Sequence, residues 1–231
     1  PSAIRKMFNK AMEYDSPISF TLGEPDFTAS ANVVKEGCRA IKEGKTKYSA
    51  NAGILPLRQA IADYLKRQTG IYYNPEDSIV VTPGAMGALY LALKTILNKD
   101  DEVIISGPYW TNYMQQVLMN GGKPVFVEAL EERDFDLDLD GLKAAVNGRT
   151  KAIIINSPSN PTGGILSHDT LQAIADIAIE HDLFVISDEV YKHIRYINER
   201  YESIAELEGM RERTVVVDSF SKTYAMTGWR I

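Results

Sequence analysis

The residues best suited to covalent chemistry lie near the end of the chain. Lys222 follows the β-branched run Thr214-Val215-Val216-Val217, which reads as a buried strand, and it stands among Ser219, Phe220, Ser221 and Tyr224. An amine partly desolvated there has a lowered pKa and a larger neutral, nucleophilic fraction. Such a lysine is suited to forming a Schiff base with a carbonyl. Arg230, eight residues on, is a permanent cation suited to a bidentate phosphate clamp. Ser219 and Ser221 add hydroxyl donors. Amine, hydroxyls and guanidinium together describe a pocket for an aldehyde that carries a phosphate. The plainer alternative is a strand that runs into a loop with one exposed lysine and one surface arginine.

Other residues extend the same chemistry. Asp188 ends the apolar run Leu183-Phe184-Val185-Ile186-Ser187, where an unpaired carboxylate is costly. A protonated pyridine nitrogen is a fitting partner, and keeping that nitrogen protonated makes the ring an electron sink. Tyr191 and Asn160 can hydrogen-bond a phenolic oxygen, and Trp110 can stack on a ring face. Gly84-Ala85-Met86 lies in a turn of small residues before an apolar helix. That arrangement offers free N–H groups and a positive dipole end to an anion. With Ser219, Ser221 and Arg230 it can hold a phosphate. The glycines match neither a Walker nor a Rossmann fingerprint, so a nucleotide is not indicated. Pyridoxal 5'-phosphate is the common biological molecule with these features.

These residues need a scaffold. Hydrophobic periodicity predicts helices over 32–42, 55–67, 88–97, a stretch ending near 119, 139–146 and 171–180, the last capped by Ser167. Strands are predicted over 78–82, 102–106, 123–127, 152–156, 183–187 and 214–217. The alternation implies an α/β fold of three α/β/α layers with a mainly parallel sheet. Ligands bind outside the carboxyl ends of such strands. The residues above sit at those ends or in loops that can reach them. Before them come an amphipathic segment over 4–12 and the run Gly23-Glu24-Pro25-Asp26. Pro25 ends any strand there, and Gly23 lets backbone approach a ligand closely. Tyr48, in the polar loop 47–53, is either a packing residue or a hydroxyl donor. The acidic stretch 128–140 reads as a solvated loop, and Cys38 as a small packing residue on a helix. His168, His181 and His193 are scattered without ligand spacing, so no metal site is expected.

Composition narrows the function. The chain has 231 residues, 45% hydrophobic and 24% charged, with a net charge of −6. That balance argues against a general nucleic-acid or anionic-membrane surface. No apolar run reaches the ~18 residues of a membrane span, and no signal-peptide pattern opens the sequence. The single cysteine excludes an internal disulfide framework. The expected location is cytoplasmic. The start at Pro1 and the stop at Ile231 read as cut ends.

Seven segments, at 22–27, 47–58, 82–89, 108–113, 156–163, 187–191 and 219–230, resemble in order those of the fold-type I, class I pyridoxal-phosphate aminotransferases of the aspartate/aromatic kind. The most specific are Ser-x-Ser-Lys-x-x-x-x-x-Gly-x-Arg at 219–230, and Asn-Pro-x-Gly at 160–163 followed by Asp-Glu-x-Tyr at 188–191. The resemblance implies a cofactor-binding large domain over 31–231, preceded by an N-terminal arm over 1–30 that belongs to a small domain. It implies that Lys222 carries the Schiff base and shuttles a proton between the substrate α-carbon and the cofactor. Asp188 would pair with the pyridinium nitrogen. Tyr191 and Asn160 would tune the phenolate oxygen, and Asn160 and Gly23 would also touch substrate. Trp110 would stack on the ring and meet substrate, with Tyr109 as its rival. Gly84, Ala85, Met86, Ser219, Ser221 and Arg230 would hold the phosphate. Tyr48 would reach the phosphate of a second subunit, implying a homodimer with shared active sites.

The implied reaction moves an amino group from an L-amino acid to a 2-oxo acid. Two departures from the family pattern stand out. The smaller C-terminal domain, with the arginine that binds the substrate α-carboxylate, does not follow residue 231. Met86 stands where some bacterial aspartate transaminases carry a lysine, which leaves aromatic or other neutral substrates open. Two other functions fit the same motifs: a carbon–sulfur lyase or synthase on this fold, and an aminotransferase-like sensing domain of a transcription regulator. A DNA-binding domain upstream would favour the regulator, and an arginine in a short downstream domain would favour the transaminase.

Overall fold

The computed structural model describes residues 3–18 and 23–231. Six strands form its sheet: β1 Glu102–Gly107, β2 Lys123–Leu130, β3 Asp136–Leu137, β4 Thr150–Asn156, β5 Phe184–Asp188 and β6 Thr214–Val217. Their order is β3-β2-β1-β4-β5-β6, parallel throughout except for β3, which pairs antiparallel with β2. The helices are α1 Ala3–Ala11, α2 Ala31–Lys42, α3 Leu55–Thr69, α4 Gly84–Ile96, α5 Asn112–Met119, α6 Leu139–Ala145, α7 His168–Glu180 and α8 Phe220–Thr223.

Side chains alternate faces along a strand, and here the alternation divides two cores. Ile104, Ile153, Ile155 and Val185 point to one face, where Leu142 of α6 and Leu171, Ile174 and Ala178 of α7 cover them. Val103, Ile105, Ala152, Ile154 and Ile186 point to the other, under Leu89 and Leu93 of α4 and Tyr113 and Val117 of α5. A parallel sheet buried on both faces accounts for the unbroken apolar run Ala152-Ile153-Ile154-Ile155. The fold is therefore α/β in three layers, as the alternation predicts. It brings the carboxyl ends of β1, β4, β5 and β6 side by side.

Four expectations need correction. The strand expected over 78–82 does not form: residues 79–82 join no strand ladder among the described residues, and Val81 N donates instead to Ala52 O at 3.0 Å. A β-branched run becomes a strand only where a neighbour supplies N–H and C=O groups. α4 begins at Gly84, four residues earlier than predicted, so the small-residue turn is the helix's own first turn. The acidic stretch is not simply a solvated loop. β2 runs on to Leu130 and returns as β3, where buried Asp136 accepts hydrogen bonds from Thr170 Oγ1 at 2.7 Å and Ser167 Oγ at 3.0 Å. Two hydroxyls satisfy the carboxylate that solvation was expected to satisfy. Cys38 is exposed rather than packed, because α2 makes its close approach through Gly37. A Cβ at Gly37 would stand 2.5 Å from the Trp229 ring. Of the segment expected to lead into Gly23, residues 19–22 lie outside the described residues.

Candidate active site

β5 delivers Asp188, only 2% exposed, to the carboxyl edge of the sheet. Its carboxylate is held by neutral donors: Tyr113 Oη at 2.6 Å and Val190 N at 3.3 Å. Asn156 Nδ2, at the end of β4, donates to the Asp188 carbonyl at 2.9 Å. Burial pushes the Asp188 carboxyl from 3.8 up to about 6, although both donors hold it down. Burial, together with the facing Asp188, pushes the Tyr113 hydroxyl well above the usual tyrosine range. Among the described residues no lysine or arginine pairs with this buried carboxylate, which suits it to a cationic ring nitrogen.

Tyr113 also brings Trp110 into the site. The two rings meet edge to face, 5.5 Å between centroids and 84° between planes. Tyr109, the rival ring, is stacked on Phe126 at 5.0 Å. Neither Tyr113 nor Asn156 was singled out from the sequence. One signal was available for Tyr113: it follows Trp110 by three residues, and a buried tyrosine hydroxyl must find a partner.

The neighbouring strand delivers the amine. Ser219 is extended, with φ −156, and its Oγ accepts from Ser221 N at 3.1 Å, which opens the short turn α8. That turn aims Lys222 back across the end of β5. Lys222 Nζ lies 5.7 Å from the centre of the Tyr191 ring and donates to Gly23 O. Burial pushes the Lys222 ammonium below the ordinary lysine value, partly opposed by Glu24. Asn160 hydrogen-bonds Tyr191 and lowers the pKa of a hydroxyl that burial and Asp188 raise. Asn160 N in turn donates to Asn156 Oδ1 at 2.7 Å.

An anion cradle closes the arrangement. Gly84 opens α4 with φ +70, a conformation that glycine adopts without cost. A Cβ there would stand 2.8 Å from Arg230 Nη2. The guanidinium thus lies directly against the first turn of α4, formed by Gly84, Ala85 and Met86. Arg230 Nη1 also donates to Thr227 O at 2.9 Å. Ser219 Oγ lies 2.9 Å from Ser221 Oγ. The Met86 carbonyl accepts from Gln116 Nε2 at 3.3 Å, which ties the turn to α5. Helix amides, a guanidinium and two hydroxyls fit a phosphate; the adjoining amine fits an aldehyde; Asp188 fits a ring cation. Tyr48 does not join this cluster, being fully exposed at 108%.

An α/β sheet with a lysine, a buried aspartate and an arginine against a helix's first turn at its carboxyl edge is an arrangement that sequence comparison specifies. The chain belongs to the family described as aminotransferase class I and II, whose model matches residues 15–231. It is 47% identical to an aspartate aminotransferase of Pyrococcus abyssi and 44% identical to aromatic-amino-acid aminotransferase 2 of Thermococcus litoralis. Each match covers 100% of this chain and 59% of the relative. Among solved structures, the aspartate aminotransferase of Thermus thermophilus with maleate superposes with a TM-score of 0.94 at 40% identity. That match covers 100% of this chain and 60% of that one. The chain thus spans about three-fifths of the length of the relatives it matches.

Proposed function

We propose that this chain is the cofactor-holding part of an amino-acid aminotransferase that moves an amino group from an L-amino acid to a 2-oxo acid. The observation that carries this reading is the position of Lys222. Its amine is partly desolvated, lies over Tyr191, and projects from the strand next to the one that ends in Asp188. Pyridoxal 5'-phosphate, when bound, supplies the aldehyde that captures the amino group and the ring that accepts electrons from the α-carbon. The protein's own residues do the rest. Lys222 Nζ holds the cofactor and carries the proton. Asp188 keeps the ring nitrogen protonated, with Tyr113 fixing the carboxylate. Tyr191 and Asn160 would donate to the phenolic oxygen, and Trp110 would supply an aromatic face to the ring. Gly84, Ala85, Met86, Ser219, Ser221 and Arg230 bind the phosphate, and Gly23 and Asn160 face the substrate.

The same reading assigns residues 31–231 to the cofactor domain and 1–30 to an arm of a smaller one. It makes the whole protein a cytoplasmic homodimer in which exposed Tyr48 serves the partner's site. No helix of the described residues is long and apolar enough to cross a membrane.

The test uses the full-length protein with added pyridoxal phosphate. Borohydride should fix the cofactor onto Lys222, located by peptide mapping, and Lys222→Arg should lose at least the ~10²–10⁴-fold that a positioned proton carrier contributes. A panel of amino acids should convert the bound cofactor to its pyridoxamine form. A label on another lysine, or no conversion by any amino acid, overturns the proposal.

A further inference from the structure

One buried cation is not used by any step above. Lys192 directly follows the Asp188–Tyr191 run and is 4% exposed. Its Nζ lies 2.7 Å from Asp218 Oδ2 and 3.9 Å from Glu189 Oε2, and 5.3 Å from the centre of the Tyr64 ring on α3. Glu189 has other partners: its Oε1 accepts from Ser203 Oγ at 2.5 Å and Ser187 Oγ at 3.1 Å. The close partner of Lys192 is therefore Asp218. Burial opposes the charge on Lys192, but Asp218 and Glu189 keep its pKa above the ordinary lysine value.

Asp218 is the residue between β6 and Ser219. Its Oδ1 accepts from Ser219 N at 2.7 Å while its Oδ2 holds Lys192. Ser219 then caps Ser221 N, one residue before Lys222. A continuous chain of contacts thus runs from the β5 turn that carries Asp188 and Tyr191, through Lys192 and Asp218, to the turn that aims Lys222.

We infer that Lys192 is a positioning residue: its ion pair with Asp218 sets the placement of the Ser219–Lys222 turn relative to Asp188 and Tyr191. Accepting the cofactor role of Lys222 proposed above, this pair governs how well amine and ring partners engage one ligand at once. A charge-assisted contact suits that task, because the two turns come from adjacent strands that are joined by backbone pairing, with the Lys222 amine over the Tyr191 ring as the other contact named here. Misplacement of about 1 Å costs on the order of a hundredfold in reactions of this kind.

The test is a double-mutant cycle in the full-length protein, with cofactor affinity and the visible absorbance of the lysine-bound cofactor as readouts. Lys192→Met and Asp218→Asn should each weaken pyridoxal phosphate binding roughly tenfold or more and shift the absorbance. The double variant should be no worse than the weaker single one, and Lys192→Arg should restore most of the affinity. Wild-type affinity in either single variant, or losses that multiply in the double variant, would overturn the inference. If Lys192→Met fails to fold because Glu189 is stranded, Asp218→Asn alone decides, since Lys192 then keeps its acidic neighbour. Failure of the unaltered protein to bind the cofactor at Lys222 would instead refute the functional reading on which this inference rests.

Discussion

The two halves of the site are built differently. Around Asp188 the framework is buried and paired: Asp188 and Tyr113 are each 2% exposed, and the Tyr113 hydroxyl, Val190 N and half-buried Asn156 hold the aspartate. Around Lys222 the framework is thinner. Lys222 is half-buried, Arg230 is exposed, and α2, which reaches them through Gly37 and Trp229, buries none of its own residues. The aspartate half is preorganised by the sheet core, whereas the lysine half is a chain segment held by a few polar contacts. Preorganised electrostatics cost nothing at the moment of reaction, so the sheet half should govern turnover, and the framework around Lys222, the lysine itself apart, should govern affinity.

Four substitutions test that division. The largest effect is expected from Asp188→Asn: turnover should fall by a hundredfold or more, as for a lost charge-stabilising group, while cofactor remains bound. Near-normal turnover would break the contrast outright. The same variant has a pH signature. The Asp188 carboxyl titrates at about 6 in the folded chain, against an ordinary 3.8. The folded state therefore binds the proton more tightly. Stability from this group is present at low pH and is lost as pH rises from about 4 through about 6. The loss amounts to roughly 3 kcal/mol at 1.36 kcal/mol per unit. Urea unfolding of ligand-free full-length protein should show that decline, and Asp188→Asn should flatten it; an unchanged slope would remove the desolvation argument.

Gly84→Ala comes next. Its Cβ would force an alanine to hold a left-handed φ and would press on Arg230. The backbone strain should cost the fold about 1–2 kcal/mol, and displacement of Arg230 should weaken cofactor Kd roughly tenfold, with kcat at saturation little altered. A fall in kcat without a change in Kd would invert the proposed division.

Tyr113→Phe should raise the apparent acid limb of kcat/KM, because the hydroxyl that holds the Asp188 carboxyl down is gone. It should also destabilise the fold by ~1.5–3 kcal/mol, the usual worth of a hydrogen bond to a charged group. An unmoved acid limb would mean that Tyr113 only packs. The smallest effect is expected from Gly37→Ala, which displaces the Trp229 ring rather than backbone. Cofactor Kd should weaken by a few-fold and melting should barely change, whereas a large loss of stability would show that α2 matters more than its exposure suggests.

Much of this site was legible in the sequence because its parts are local motifs at strand ends. Lys222 with its serines and Arg230, and Asp188 with Tyr191, each lie within one short stretch, so residue type and spacing suffice. Tyr113, Asn156, Asp218 and Lys192 were not read because their roles exist only across elements; the Tyr113–Asp188 bond spans 75 residues. The run at 79–82 has the composition of a strand, but composition cannot supply a pairing neighbour. Nor could the pattern of α2 reveal that Gly37, not Cys38, makes the close contact. A glycine's usefulness is visible only when something arrives beside it.

The bond from Lys222 to Gly23 has a consequence in time. It joins residues 199 positions apart. At synthesis rates of about 5–20 residues per second, Gly23 is made roughly 10–40 s before the lysine it will meet. Every strand of the sheet is translated in that interval, and closing so long a loop costs entropy that only a formed core can offset. The Lys222 amine should therefore find its backbone partner last. In pulsed hydrogen exchange during refolding, amides of β1 and β4 should gain protection before those of the Ser219–Lys222 turn.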